Sequence, residues 1–222
     1  MHWRRLKPVA LIELPGAIRQ PSHMSMHPHS VLSASVVSCL LLASCASTTV
    51  ELSGAAPAGT LCQTAGESVN ALLLWGPRWR PDQKDTPLRE EAAERGIKQF
   101  FAQSGCYSNT DIRRVSVEKP IAREQAQQLA AAADPKASRV LVLTVRELGP
   151  IVKLLTSAAH IEGGTEVVLN VSYYNLAQPS SNHDFQVHWK NGGSGVIKGV
   201  ATLPDDMRSA LVVSLKPSTA PK

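Results

Sequence analysis

The feature that most constrains this chain is a run near its beginning, Val31–Ala43 (VLSASVVSCLLLA), which is apolar or small throughout and carries no charge. At helical rise it spans about 20 Å, too little for the ~30 Å hydrocarbon core of a bilayer. It has instead the length and small-residue character of the apolar region of an export signal. The first 44 residues are therefore expected to direct export and to stand apart from the fold. A start at Met24 or Met26 gives a compact leader that holds His27 and His29 but no Lys or Arg. A start at Met1 supplies Arg4, Arg5 and Lys7 but threads Pro8, Pro15 and Pro21 through a long extension, and the later start is preferred.

The apolar run ends in Leu42-Ala43-Ser44-Cys45, which resembles the lipobox of bacterial lipoproteins, L-[AS]-[GAS]-C, at every position. The resemblance implies that the Cys45 thiol is diacylglycerated, that the chain is cut just before it, and that the new amine is acylated in turn. Such chemistry uses the cysteine as nucleophile and needs small residues upstream, so that the backbone can enter the protease. Each buried methylene contributes about 0.8 kcal/mol, so two or three acyl chains hold a protein to a membrane where one does not. Ala46 follows the cysteine where lipoproteins kept in the inner membrane often carry Asp. By the family's rule this implies the outer membrane, on its periplasmic face.

The formal charge of +5 overstates how basic the mature part is. Arg4, Arg5, Lys7 and Arg19 against Glu13 lie in the leader, which leaves a net of +2 for the rest. Beyond Arg113-Arg114 no basic run occurs, so the dense basic stripe of a nucleic-acid-binding surface is missing. Of four cysteines, Cys39 leaves with the leader and Cys45 takes lipid; Cys62 and Cys106 remain. An even pair in an oxidising compartment is expected to form a disulfide, closing a loop worth roughly 3–4 kcal/mol in the chain-entropy picture. Two unpaired buried thiols are the alternative. Neither cysteine has a Cys or His neighbour at metal-ligand spacing, so no metal and no cofactor is expected.

Residues 45–60 read as the lipidated cysteine and a flexible tether, 61–215 as one domain, and 216–222 as a frayed tail. Within the domain, Val69–Trp75 is a short apolar strand stopped by Gly76-Pro77. Thr86 can cap a helix with Pro87 at its first position, and Gly105 fits the stop. Thr110–Glu118 reads as a strand, Ile121–Ala133 as an alanine-rich helix, and Arg139–Leu148 as a central strand. In Thr165–Tyr174, Val167, Leu169, Val171 and Tyr173 share one face. In Asp184–Lys190, Phe185, Val187 and Trp189 face inward and Gln186, His188 and Lys190 outward. Asn191-Gly192-Gly193 marks a turn, and Pro204–Leu215 returns to helical spacing through Met207, Ala210, Leu211 and Leu215. The pattern β-α-β-α-β-β-β-α predicts a single α/β (α+β) domain, a mixed sheet of about five strands with about three helices packed on it. This order, together with the leader, resembles small periplasmic α/β lipoproteins such as the auxiliary lipoproteins of ABC transport systems and the amino-terminal domain of the Tol-system propeller protein. The likeness is of outline and transfers no site and no partner.

Chemistry is thinly signalled. Gly192-Gly193-Ser194-Gly195 fails the spacing of a nucleophile elbow, and neither a dinucleotide fingerprint nor a phosphate loop occurs. His183 and His188, five apart, would point to opposite faces of a strand. Glu162 and Glu166 could approach each other as an acid–base pair, which with His160 would serve a tethered hydrolase, but they read better as solvated ends of a strand. Two stretches are candidate contact surfaces. Gly149–Gly164 joins two strands yet carries Ile151, Leu154 and Leu155; folding onto the core as a short helix or strand is favoured over an exposed partner contact. In the second, Trp79 stands between Arg78 and Arg80. It is either a binding anchor or a cover for the sheet edge with its arginines solvated. The preferred reading is a non-enzymatic lipoprotein that binds within an envelope assembly or transport system, with membrane lipid and an envelope protein as partners. A hydrolase and a purely structural lipoprotein are the alternatives.

Overall fold

The computed structural model describes residues 46–58, 61, 69–154 and 161–215. The chain divides into two units, Met1–Leu42 and Ala43–Lys222, and all described residues belong to the second. Its elements are β1 (Ser47–Gly54), β2 (Val69–Pro77), α1 (Thr86–Gln103), β3 (Tyr107–Arg114), α2 (Arg123–Ala131), β4 (Arg139–Leu154), β5 (Ile161–Asn175), β6 (His183–Ser194) and α3 (Leu203–Leu215). The strands form one mixed sheet in the order β1-β6-β5-β4-β2-β3. β2 runs parallel to β3 and β4, and the remaining pairs are antiparallel. The expected α/β domain with three helices is thus observed, with six strands in place of about five.

The crossovers explain which face each helix covers. From β2 the chain steps outward to β3 through α1, then returns past β2 to β4 through α2. Right-handed crossovers taken in opposite directions place their helices on opposite faces. The packing agrees: Ala71, Leu73 and Trp75 of β2 lie in one apolar cluster with Ala93, Ile97 and Phe100 of α1, whereas Leu72 and Leu74 meet Ala126 and Ala130 of α2. We call the α1 side the inner face. α3 lies on it beside α1, contributing Met207, Ala210, Leu211 and Leu215. The two helices come close at Gly96, where a Cβ would collide with the Pro204 carbonyl and the Met207 side chain. The alternation read from β5 and β6 holds: Val167, Leu169, Val171, Tyr173, Phe185, Val187 and Trp189 are all buried in the inner core.

Several expectations are corrected. Ser47–Gly54, expected within a flexible tether, is an edge strand paired antiparallel with β6 from Ser47↔Gly192 to Gly54↔Phe185. Backbone hydrogen bonding to β6, with Val50 and Leu52 packed on the inner core, orders a segment whose composition reads as a linker. Asn191-Gly192-Gly193 is no turn. β6 continues through it to Ser194, because glycine faces glycine across the ladder at Gly164↔Gly192 and Gly163↔Gly193, and the two backbones approach too closely for a Cβ at Gly164 or Gly192. β2 runs on through Gly76-Pro77. β3 lies earlier than Thr110–Glu118, its extent set by parallel register with β2 from Val69↔Tyr107 to Trp75↔Arg114. Asp85, in the left-handed conformation at φ 54°, precedes α1, so Thr86 is its first residue and not its cap.

Candidate functional site

The outer face is roofed only in part. α2 covers Leu72, Leu74, Val140, Val142 and Tyr174. Beyond it, β5, β6 and β1 present alternate side chains, and those opposite the apolar set are polar apart from Val168: Glu166, Asn170 and Ser172, then Gln186, His188 and Lys190, then Glu51 and Ser53. The register places them in cross-strand rows, Asn170↔Gln186↔Ser53 and Glu166↔Lys190, with His188 between Val168 and Glu51. Two open depressions, each of about 410 Å³, lie on this side. One is bounded by Arg80, Glu147, Glu166, Asn170 and Gln186. The other is bounded by Arg78, Lys119, Thr144, Asn170 and Gln186.

Glu166 is the hub of the polar face. Its carboxylate contacts His188 Nε2, and Lys190 Nζ lies 3.8 Å from it; His188 Nδ1 lies 3.9 Å from Glu51. Glu147 gathers Arg80 at 3.2 Å and Arg89 at 3.6 Å. Arg89 is itself buried and donates to the carbonyls of Lys84, at 2.8 Å, and Leu148. The His188–Glu166 contact and the two Arg89 donations are charge-assisted hydrogen bonds, and the remaining pairs are ion pairs. His188 thus stands between two carboxylates, Glu166 and Glu51. Among the described residues no cluster of three or more His, Cys, Asp or Glu could hold a metal ion.

A second polar cluster is internal. Asp206, in the first turn of α3 and 5% exposed, accepts hydrogen bonds from Thr165 Oγ1 at 2.7 Å, Thr202 Oγ1 at 2.9 Å and Lys198 Nζ at 2.9 Å. Lys198 also lies 5.9 Å above the Trp189 ring. The cluster ties the segment after β6 to β5 and to α3.

The candidate residues fall as follows. Cys45, Cys62, Leu155 and His160 lie outside the described residues. Cys106 is buried and disulfide-bonded. Trp79 is half-buried against the inner core and donates to Glu90 at 3.3 Å, while Arg78 and Arg80 are exposed; Glu90 also meets Arg114. Glu162 and Glu166 do not form an acid–base pair: they stand four residues apart on β5, about 13 Å at strand rise, and Glu166 pairs with His188 and Lys190. Of Gly149–Gly164, expected to fold onto the core as a short helix or strand, 149–154 are the end of β4 and 161–164 the start of β5, with 155–160 outside the described residues; the strand is observed, but its apolar side chains are not all covered. Ile151 is half-buried, Val152 is 66% exposed and Ile161 38%. Leu154 ends β4 opposite Ile161. His183 points to the inner side, tilted against Tyr173 at 6.0 Å, and His188 to the outer. The His188–Glu166 contact and the Asp206 cluster went unread in the sequence. Alternation places the first pair outward, but pairing across strands separated by 22 positions needs the register.

No protein-family model matches the chain, and no curated protein does. Among solved structures it is similar to the PelC dodecamer from Paraburkholderia phytofirmans, at 13% identity over 74% of this chain and 95% of that one, with a TM-score of 0.40. A variant PelC dodecamer from the same organism gives 14% identity over 77% and 99%, with a TM-score of 0.41. A neuraminyllactose-binding hemagglutinin homolog from Helicobacter pylori gives 14% identity over 68% and 87%, with a TM-score of 0.36. Scores this low carry no argument about function.

Proposed function

We propose that this chain is an envelope lipoprotein, anchored through acylated Cys45 in the outer membrane on its periplasmic side. It works by binding, as an accessory component of an envelope assembly or transport system, and not by catalysis. The observation that carries the reading is the position of the Leu42-Ala43-Ser44-Cys45 sequence. It follows a charge-free apolar run and stands immediately before the first strand of the folded unit, which begins at Ser47. Cleavage before Cys45 would leave β1 whole, and the anchor would join the sheet through Ala46 alone. The open outer face, with its rows of carboxylate, amide and imidazole groups, is the surface on which a polar partner would bind. The Cys62–Cys106 disulfide belongs to the same reading, since it needs an oxidising compartment.

Mass spectrometry of the protein purified from membranes tests both covalent claims. The mature amino terminus is expected to be a diacylglycerated, N-acylated cysteine, and non-reducing peptide mapping is expected to link Cys62 to Cys106. An unprocessed, water-soluble product with free thiols would overturn the proposal. Crosslinking in intact envelopes through the outer face then identifies the partner.

A further inference from the structure

The sheet has two ends, and the strand register decides which of them lies beside the anchor. Ser47, the first residue of β1, is level with Gly192 of β6, Gly164 of β5 and Ile151 of β4. One row further out are Gly193, Gly163 and Val152, and the next holds Ser194, Glu162 and Lys153. Cys45 is two residues before Ser47, and two peptide units reach at most about 7 Å. If Cys45 is acylated as proposed, its lipid can stand no further than this from the end of the sheet where β1 begins, β4 stops and β5 starts. The opposite end, where β4 begins at Arg139 opposite Asn175, is the full length of the sheet away.

Exposed apolar side chains gather at the anchored end. Val152 is 66% exposed, Ile161 38% and Ile197 84%. The segment carrying Ile197 is fastened to β5, because the Gly195 amide donates to the Ile161 carbonyl at 2.7 Å and the Val196 carbonyl closes on Gly163. Glu162 stands directly opposite Lys153 in the ladder. Apolar side chains projecting from a surface next to a lipid anchor are placed where burial in the boundary between headgroups and acyl chains is favourable.

We propose that this end of the domain docks on the membrane surface, with Val152, Ile161 and Ile197 entering the lipid interface beside the acylated cysteine. The domain is then held in one orientation, with its strands rising from the bilayer and the outer face exposed to the side. The inference rests on the acylation of Cys45 proposed above and uses none of the connecting residues 155–160, which lie outside the described residues.

The test uses the mature, membrane-extracted protein in vesicles of phosphatidylethanolamine and phosphatidylglycerol. Single replacements Val152→Cys, Ile197→Cys and, at the far end, Ser180→Cys are labelled with bimane, and quenching by brominated lipid is compared. All three sites are exposed, so the labels are not expected to disturb the fold. Labels at 152 and 197 are expected to be quenched about twofold or more, and the label at 180 not at all. Equal, absent quenching at all three positions in protein whose Cys45 is acylated would overturn the docking while leaving the anchor standing. Labels at 152 and 197 that are shielded from water but untouched by brominated lipid would assign this end to a protein partner or a second copy, and would overturn it equally. If mass spectrometry finds Cys45 unacylated, the anchor reading fails by itself. Quenching at 152 and 197 when that protein is added to vesicles would still support the docking, and its absence would remove both.

Discussion

The two faces of the sheet are made by the same strands from the same alternating sequences, yet they are finished differently. On the inner face Leu141, Leu143, Val145, Leu169 and Val187 are sealed beneath α1 and α3. The outer face is sealed only where α2 lies, and over β5, β6 and β1 it is left to Glu166, Asn170, Gln186, His188 and Lys190. An inner-face residue therefore bears on stability, while an outer-face residue is free to serve recognition. The edges follow the same logic. β1 is short and polar, with Ser47, Thr48, Thr49 and Glu51 exposed, as befits a strand whose outer edge has no partner among the described residues.

Substitutions that separate the two faces test the distinction. The largest effect is expected from Leu169→Ala, which opens a cavity in the fully buried centre of β5. Urea denaturation should show a loss of about 2–5 kcal/mol. A loss below about 1 kcal/mol would mean that the inner face is not packed as described. Asp206→Ala should come next, at about 1–3 kcal/mol, because it strands the buried Thr165 hydroxyl and leaves Lys198 without its carboxylate. Thr202→Ala, which removes only a partly buried donor, should cost less than Asp206→Ala in the same assay.

Tyr107 sharpens the comparison through pH. Its phenol is pushed far above the ordinary tyrosine value, first by burial in the inner core and then by the neighbouring Tyr173. The folded chain keeps the proton that the unfolded chain releases near pH ~10. Stability is therefore unaffected by this group below that range and falls as pH rises above it. Tyr107→Phe should make the decline in unfolding free energy between about pH 9 and about pH 11 shallower; an unchanged slope would show that the phenol ionises in the folded protein. The smallest effect is expected on the outer face. Gln186→Ala should alter stability by no more than about 0.5 kcal/mol, while reducing crosslinking if this face is the binding surface.

Much of the inner face was legible in advance, because strict alternation in 165–174 and 184–190 announces which side is buried, whatever the neighbours are. The helices were legible through Pro87, Gly105 and the spacing of Met207, Ala210, Leu211 and Leu215. The site was legible only in pieces. Glu166 and His188 each read as outward-facing, but their contact depends on which residues of β5 and β6 stand opposite. Glu162 and Glu166, neighbours in the sequence, are kept apart by the extended backbone between them.

By itself the sequence determined the core-facing residues and the α/β class, and it carries the resemblance of Leu42-Ala43-Ser44-Cys45 to a lipobox, since each is written in local composition or periodicity. The tertiary structure decided that Ser47–Gly54 is a strand, because its order comes chiefly from backbone hydrogen bonds to β6, and the alternation of Val50 and Leu52 is too short to announce it. It also decided that exposed Val152, Ile161 and Ile197 stand at the end of the sheet where β1 begins. That juxtaposition is a matter of register between strands more than a hundred residues apart, and register is settled only when the strands meet.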